Sequence, residues 1–398
     1  MVSEYFHPCD NATGHIMTSL AQQLSGDFRL KVLTTTPGYA TGSVIENENL
    51  TIARIRDSKL DKNKLLQRLV RITVLSFRLF FALLREIKKD QVVISVTNPT
   101  ALTILLMFGK LIRGYRVILI VHDVFPENLI ATGIIRKKNP LYPLIRGIFN
   151  LALGSFEALL VIGRDMEQIY KTKVRKPGRI IFLPNFSDTV KITPGEKSAN
   201  RLVWDCGLEN KLVILFTGNI GRAQNIPFIC QVILQMKDNP DVHFLFIGGG
   251  AMKANLESFL RDHGLKNATL LPEMPRENEN IFLNAGDIGL VLLTPGLKGL
   301  GVPSKAYAYM AAGKPLLSFV EPGSEIDLLI REHDIGWSMD PCDIDRAARK
   351  ISSLVNLPLE ISRKGAEARK VCERFYTPEI YAAHLKLIIN KLYDPRKS

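Results

Sequence analysis

Short apolar runs, each the length of a strand, alternate with helix-length amphipathic segments from one end of the chain to the other. Leu30 to Thr35 (LKVLTT), Gln91 to Val96 (QVVISV), Arg116 to Val121 (RVILIV), Ala158 to Gly163 (ALLVIG) and Arg179 to Pro184 (RIIFLP) read as strands of a parallel sheet. The rhythm then restarts with LVILFTG, VHFLFIGGG, ATLLPE, DIGLVLL and KPLLSFV. Strands alternating with helices, given twice, predict an α/β protein of two doubly wound, Rossmann-like domains. Between the two series lies PNFSDTVKITPGEKSANRL, polar and without strong period, which reads as a linker. The predicted domains are therefore 1–184 and 185–376, with TPEIYAAHLKLIINKLY giving a final helix within 377–398.

Composition narrows the partners. With 398 residues, 46% of them hydrophobic, the chain can bury more than one core. Five scattered cysteines give neither a disulfide framework nor zinc-ligand spacing. No secretory signal is visible at the start and no apolar run reaches the ~18 residues of a membrane span, so a cytoplasmic location is expected. The net charge of +13 favours an anionic partner. Nucleic acid is disfavoured because no recognition motif accompanies the charge.

Doubly wound domains bind ligands at the carboxyl ends of their strands, so the cleft between two such domains is the expected site. FTGNIGRAQNIP sits at such a strand end, between LVILF and the helical IPFICQVILQM. Amides at a helix start are unpaired and positively polarised, so this turn can hold phosphate with help from Arg222. The plainer reading is a tight turn whose Gly218 and Gly221 serve backbone geometry alone. VHDVFPENL places His122 and Asp123 at another strand end facing the expected cleft, where a His next to an Asp is more often a structural pair. NATGHIM puts Gly14 where a ligand would approach the backbone, while Gly248 to Gly250 read as structural. The Asp-x-Asp at Asp343 reads as a helix N-cap, so no metal is expected.

The order SEYFHP, TGHIMTSLAQQL, VLTTTPGY, VHDVFPENL, VIGRDM, LPNFSD, FTGNIGRAQNI, FIGGG and GVPSKAYAYMAAGKPLL resembles retaining glycosyltransferases of family four, of GT-B fold. Within that family it is similar to the lipopolysaccharide, capsule and exopolysaccharide enzymes. The likeness runs from the first residues to about Tyr376. It implies transfer of a sugar from a nucleotide diphosphate sugar, UDP-linked by preference, held mainly by 185–376, to an acceptor held mainly by 1–184. The final helix is then expected to pack back on the first domain. Many members carry an Arg/Lys pair at the positions of Asn219 and Gln224, and a Glu-x7-Glu motif at those of Leu300 and Ala308. With those groups absent, the donor set is Gly218, Asn219, Gly221, Arg222, Gln224, Ser304 and Lys305, with Arg222 and Lys305 neutralising the diphosphate. His122 and Asp123 are the implied catalytic residues, and Gly14, Glu127 and Glu321 further acceptor or donor-sugar contacts. No cofactor is implied beyond the nucleotide sugar itself.

The basic charge has a place of its own. A helix over Lys64 to Lys89 would gather Lys64, Arg68, Arg71, Arg78, Arg85 and Lys89 in one sector against an apolar remainder. It reads either as a crossover helix with solvated bases or as a surface for an anionic bilayer. ALTILLMFGKLI and PLYPLIRGIFNLALGSF add apolar surface to the same domain. The expectation is peripheral attachment at the inner face of the cytoplasmic membrane, through Arg71, Arg78 and Arg85, and a lipid-linked acceptor. Two other functions stay open: a nucleotide-sugar 2-epimerase of the same fold, or a catalytically degenerate subunit that binds a partner.

Overall fold

The computed structural model describes residues 1–9, 11–36, 48–56, 65–131 and 138–393, with side chains 65, 66, 68 and 69 excepted. Lys64, the side chain of Arg68, part of VLTTTPGY and residues 394–398 lie outside that description.

From the start of the chain run α1 (Ala12–Leu24), β1 (Leu30–Thr35), β2 (Leu50–Ile55), α2 (Leu65–Glu86), β3 (Val92–Val96), α3 (Thr100–Arg113), β4 (Arg116–Val121), α4 (Glu127–Ala131), α5 (Leu141–Ser155), β5 (Ala158–Val161), α6 (Arg164–Lys173) and β6 (Ile180–Phe182). All strand pairs are parallel: β1 with β2, and β3-β4-β5-β6 in order. Val2 bridges both Leu33 and Ser95, joining the two pieces with the first residues as a minimal strand between β1 and β3. Val117 to Val121 and Leu159 to Val161 are wholly buried, as central parallel strands covered on both faces must be. β2 was not legible, because LTIARI alternates and is only half-buried at an edge.

The second series is α7 (Arg201–Asp205), β7 (Leu212–Thr217), α8 (Ile226–Gln235), β8 (Val242–Ile247), α9 (Lys253–Asp262), β9 (Ala268–Leu271), α10 (Glu279–Asn284), β10 (Ile288–Leu292), α11 (Lys305–Ala311), β11 (Leu316–Phe319), α12 (Glu325–His333), β12 (Gly336–Met339), α13 (Ile344–Leu354) and α14 (Pro358–Phe375). Its six parallel strands lie in the order β12-β11-β10-β7-β8-β9, so strand order reverses between β7 and β10. That reversal is the switch point at which such sheets open a crevice beyond their carboxyl ends.

The chain divides into two compact units, Met1–Pro184 with Pro378–Ser398, and Asn185–Thr377. The last helix, α15 (Pro378–Tyr393), belongs to the first unit. It packs on α1, with Gln23 Nε2 donating to Glu379 Oε1 at 2.9 Å and Lys386 paired with Asp27. The polar stretch after Pro184 is no free linker. Asn280 and Asn284 bond the backbone of Thr193 and Gly195 at 2.9 Å each, and Arg369 donates to the carbonyls of Thr189 and Ile192 at 2.7 Å. Side-chain amides and a guanidinium supply the partners that a strand ladder would otherwise give, which is why the segment is ordered without periodicity.

Candidate functional site

In the second unit, β7 ends at Thr217 and the backbone turns through Gly218 at φ +89°, a conformation that favours glycine. The Gly218 N–H donates to the Ile247 carbonyl at 2.8 Å and the Ile220 N–H to the Gly249 carbonyl at 2.6 Å, so this turn rides on the turn after β8. A Cβ on Gly248 would overlap the Gly218 carbonyl, and one on Gly250 would meet Asn219 and Ile220. FIGGG is thus the structural support of FTGNIG. Residues 222–224 form a single 3-10 turn leading through Asn225 into α8. Across the switch point, just beyond β10, the Thr294 N–H donates to Ala223 O at 2.9 Å. Its hydroxyl donates to Arg222 O at 3.0 Å and accepts the Asn225 N–H at 3.0 Å. Gly218, Asn219 and Arg222 are exposed on this frame and Gly221 is buried.

α11 closes the other side. Its Tyr309 hydroxyl accepts the Thr217 N–H at 2.8 Å, fixing the helix to the end of β7. Lys305, its first residue, follows Ser304 and carries Nζ to 3.2 Å from the centroid of the Phe216 ring. That Nζ is buried and has no hydrogen-bond partner among the described residues, and burial holds its pKa well below 10.5. The ring face offsets only part of the cost of an ammonium out of water. Gln224 Oε1 is also buried without a partner among the described residues. Folded proteins leave few such atoms, and two of them lie in the expected donor set. Glu321, expected near the donor sugar, accepts the N–H groups of Gly296 at 2.8 Å and Lys298 at 3.3 Å, so one of its oxygens steadies the loop after β10. Leu300 is buried and Ala308 packs on the core, so neither position presents a polar group.

In the first unit, His122 and Asp123 follow β4. Their N–H groups reach Thr97 Oγ1 at 3.3 and 3.4 Å, which ties the ends of β3 and β4 together. His122 Nε2 is buried with no partner among the described residues, and desolvation lowers the imidazole pKa to about 4, so the ring is neutral near pH 7. Burial raises the Asp123 carboxyl to about 6, opposed by a 3.0 Å bond from Asn128 Nδ2. A neutral ring and a carboxyl with a raised pKa, on consecutive residues at the end of β4, can make hydrogen bonds and, at the carboxylate, accept a proton.

Three of the expected residues have close partners within the first unit. Glu127 receives Lys173 Nζ on both oxygens, at 2.7 and 2.6 Å, with the lysine side chain fully buried, so its carboxylate already balances a charge inside the fold. Gly14 is buried, and a Cβ there would stand 2.7 Å from the Cys9 carbonyl, so the close approach it permits is made by the chain's own backbone. Arg71 is only 4% exposed and bonds Glu4 Oε1 at 2.8 Å, because this part of α2 covers the start of the chain. It is an internal ion pair and not a membrane contact. Arg78 and Arg85 are exposed.

Other residues carried no sequence signal. His7 keeps a buried Nε2 without a partner among the described residues, as His122 does, and Thr97, Thr294 and Tyr309 act only through contacts made after folding. No group of His, Cys, Asp or Glu among the described residues could hold a metal ion, and Asp343 Oδ1 accepts the Arg346 N–H as the cap of α13.

Residues 204–371 match the family model of the group 1 glycosyl transferases. A protein of Pseudomonas aeruginosa named as a probable glycosyltransferase, WbjE, is 32% identical over 398 residues, covering 100% of this chain and 98% of its own. WcaI of Escherichia coli K12, named for glycosyl transfer in colanic acid biosynthesis, is 24% identical over 380 residues, 91% of each. Among solved structures, sucrose-phosphate synthase from Thermosynechococcus elongatus superposes with a TM-score of 0.79 at 13% identity, over 99% of each chain. Anabaena HepE in complex with UDP-glucose gives 0.74 at 11%, over 98% of this chain and 99% of that one. These likenesses identify the fold as GT-B. With a relative this similar from end to end, the chain belongs to the group 1 glycosyl transferases.

Proposed function

We propose that the protein is a retaining glycosyltransferase that moves a hexosyl or N-acetylhexosaminyl group from a UDP-sugar to a lipid-linked acceptor in cell-surface glycan biosynthesis. One set of observations carries the donor half of this reading: the Gly218–Gly221 turn and Arg222 follow β7 at the switch point with β10, and α11, bonded to the end of β7 through Tyr309, begins with Lys305, whose buried Nζ has no hydrogen-bond partner among the described residues. A diphosphate there would meet turn amides, a permanently charged guanidinium and an ammonium that gains a counter-ion. The same groups would hold the leaving diphosphate as the glycosidic bond breaks, when its charge is greatest. The second unit is read as the donor domain and the first as the acceptor domain, with His122 as a neutral hydrogen-bonding group toward the sugar and Asp123 as the acceptor's proton partner or orienting group. UDP is preferred because the HepE neighbour was solved with UDP-glucose and the relatives are named for glycosyl transfer.

The test is turnover with UDP- and GDP-sugars, with and without a membrane lipid extract. A glycolipid formed from a UDP-sugar is the expected product. A free epimer would replace this reading with an epimerase, and absence of any product with every donor would leave a binding subunit.

A further inference from the structure

We infer that the outer face of α2, α3 and α5 docks on an anionic lipid bilayer, entering it with apolar side chains and meeting its headgroups with an arginine and lysine rim. Among the described residues, ten of the eighteen exposed large hydrophobic side chains lie on these three helices. On α2 they include Phe77 and Phe81, one turn apart and stacked with ring centroids 6.3 Å apart. On α3, Phe108, Leu111 and Ile112 follow the three- and four-residue spacing of one helix face, and Leu111 is 78% exposed. On α5, Leu144 and Leu151 share a face and are 62% and 66% exposed. Helices of a doubly wound domain ordinarily turn their polar faces outward. Here the outward faces are apolar as well as the inward ones.

The three stripes make one surface. α2 packs on α3 and α3 on α5. Gly109 allows the first contact, since a Cβ there would stand 2.7 Å from the Phe80 ring, and Lys110 ties α3 to the Ser155 carbonyl at the end of α5. A contiguous exposed apolar area of this kind marks an interface.

Charge selects the occupant. The three helices carry seven arginines and lysines against one acid, Glu86. Arg71, Lys110 and Arg146 pair with Glu4, Glu157 and Glu127, and Glu86 pairs with Lys31. Arg78, Arg85 and Arg113 remain exposed, and Lys88 and Lys89, also exposed, continue the line. Arg85 stands one turn beyond Phe81, and Arg113 follows Ile112, so the bases border the apolar stripe. A second copy meeting this face through a two-fold axis would set basic rim against basic rim. An anionic leaflet complements both parts at once. No described helix is long and apolar enough to cross a membrane, so the contact is one of insertion from the side. The surface differs from the stripe expected in the sequence: the apolar residues lead, and Arg71 has no part in it.

This inference deepens the lipid-linked part of the proposed function, and its test uses neither donor nor acceptor. The full-length protein is floated with phosphatidylcholine vesicles containing or lacking phosphatidylglycerol. Wild type is expected to float with the anionic vesicles and far less with neutral ones. Leu111→Glu with Leu144→Glu should weaken anionic binding at least tenfold at low salt, and Arg85→Gln with Arg113→Gln about fivefold per charge removed, both with unchanged melting and UDP binding. Wild type that stays unbound, or a glutamate pair that floats normally, overturns the inference. A dimer that the glutamate pair dissociates, without vesicle binding, overturns it in favour of a second copy. Glycolipid synthesis without vesicle binding would sink the docking face and leave the transferase reading intact.

Discussion

At the scale of single residues, the proposed chemistry turns on groups buried at a cost. Lys305 Nζ has a depressed pKa because it is desolvated beside an aromatic ring. A bound diphosphate would favour the charged form and raise that pKa again. UDP binding between the two pKa values should therefore take up protons, visible as a binding heat that changes with buffer ionisation enthalpy and disappears in Lys305→Met. A heat independent of buffer would remove Lys305 from the diphosphate site. Arg222→Ala and Lys305→Ala should each weaken UDP binding about tenfold or more, ~1.4 kcal/mol per decade, and UMP binding less. Equal, small losses for both nucleotides would reduce FTGNIG to a turn. Asp123 titrates oppositely in sign. Its folded pKa of about 6 lies above the ordinary 3.8, so the folded state holds the proton more tightly than the unfolded one. Stability is then gained as pH falls from about 6 to 4 and forgone above 6. Asp123→Asn should stabilise the protein near pH 7 by up to about 3 kcal/mol, at 1.36 kcal/mol per pKa unit. The gain should vanish below pH 4, while transfer is lost. A melting temperature no higher than wild type at pH 7 would contradict the burial argument.

At the scale of elements, α2 separates what a pattern can tell from what only packing can. Its period and its two exposed bases were legible in LLQRLVRITVLSFRLFFALLRE, but Arg71 and Arg78 are seven residues apart on nearly the same face and have opposite fates. Nothing in the local sequence says that Glu4, sixty-seven positions away, waits under the first of them. Removing Arg71 alone leaves a buried carboxylate uncompensated, so Arg71→Met should cost about 3–5 kcal/mol, much of it recovered by adding Glu4→Gln. Arg85→Gln should stay within about 0.5 kcal/mol. Denaturant melts of the four proteins decide it, and an Arg71→Met protein as stable as wild type would mean that the pair contributes nothing. The strands from β3 to β11 were readable as short, mostly apolar runs, the central ones buried throughout, whereas β12, the partly exposed GWSM at the sheet's edge, was not. β2 was not, being half-exposed. In the same way, the turn after β7 was visible through its glycines, whereas Thr294 and Tyr309, which hold that turn and helix α11 in place, look like any loop threonine and helix tyrosine. His7 was missed because one histidine near the start of a chain carries no spacing signal.

At the scale of the whole molecule, the chain crosses between its units twice, at Asn185 and again at Pro378. The second crossing returns α15 to α1, where Tyr381, Ala382, Leu385 and Ile389 are buried. Burying a large apolar side chain contributes about 1.5–3 kcal/mol, so three such residues supply roughly 5 kcal/mol or more to the first unit. That is comparable with the whole stability of an ordinary domain. Among the described residues, the second unit's core cluster includes Val371 and Cys372 on α14. Ending the chain after Thr377 should therefore unfold or strongly destabilise the first unit while leaving the second folded. The expected readout is asymmetric: the truncated protein loses a calorimetric transition and becomes protease-sensitive between residues 1 and 184, yet a resistant fragment over 185–377 persists. If UDP is held by groups of the second unit alone, that fragment still binds it within about tenfold of wild type. A truncated protein in which both transitions survive would show that α15 is dispensable to the first unit, and one in which the second unit also melts would show that the two cores do not stand separately.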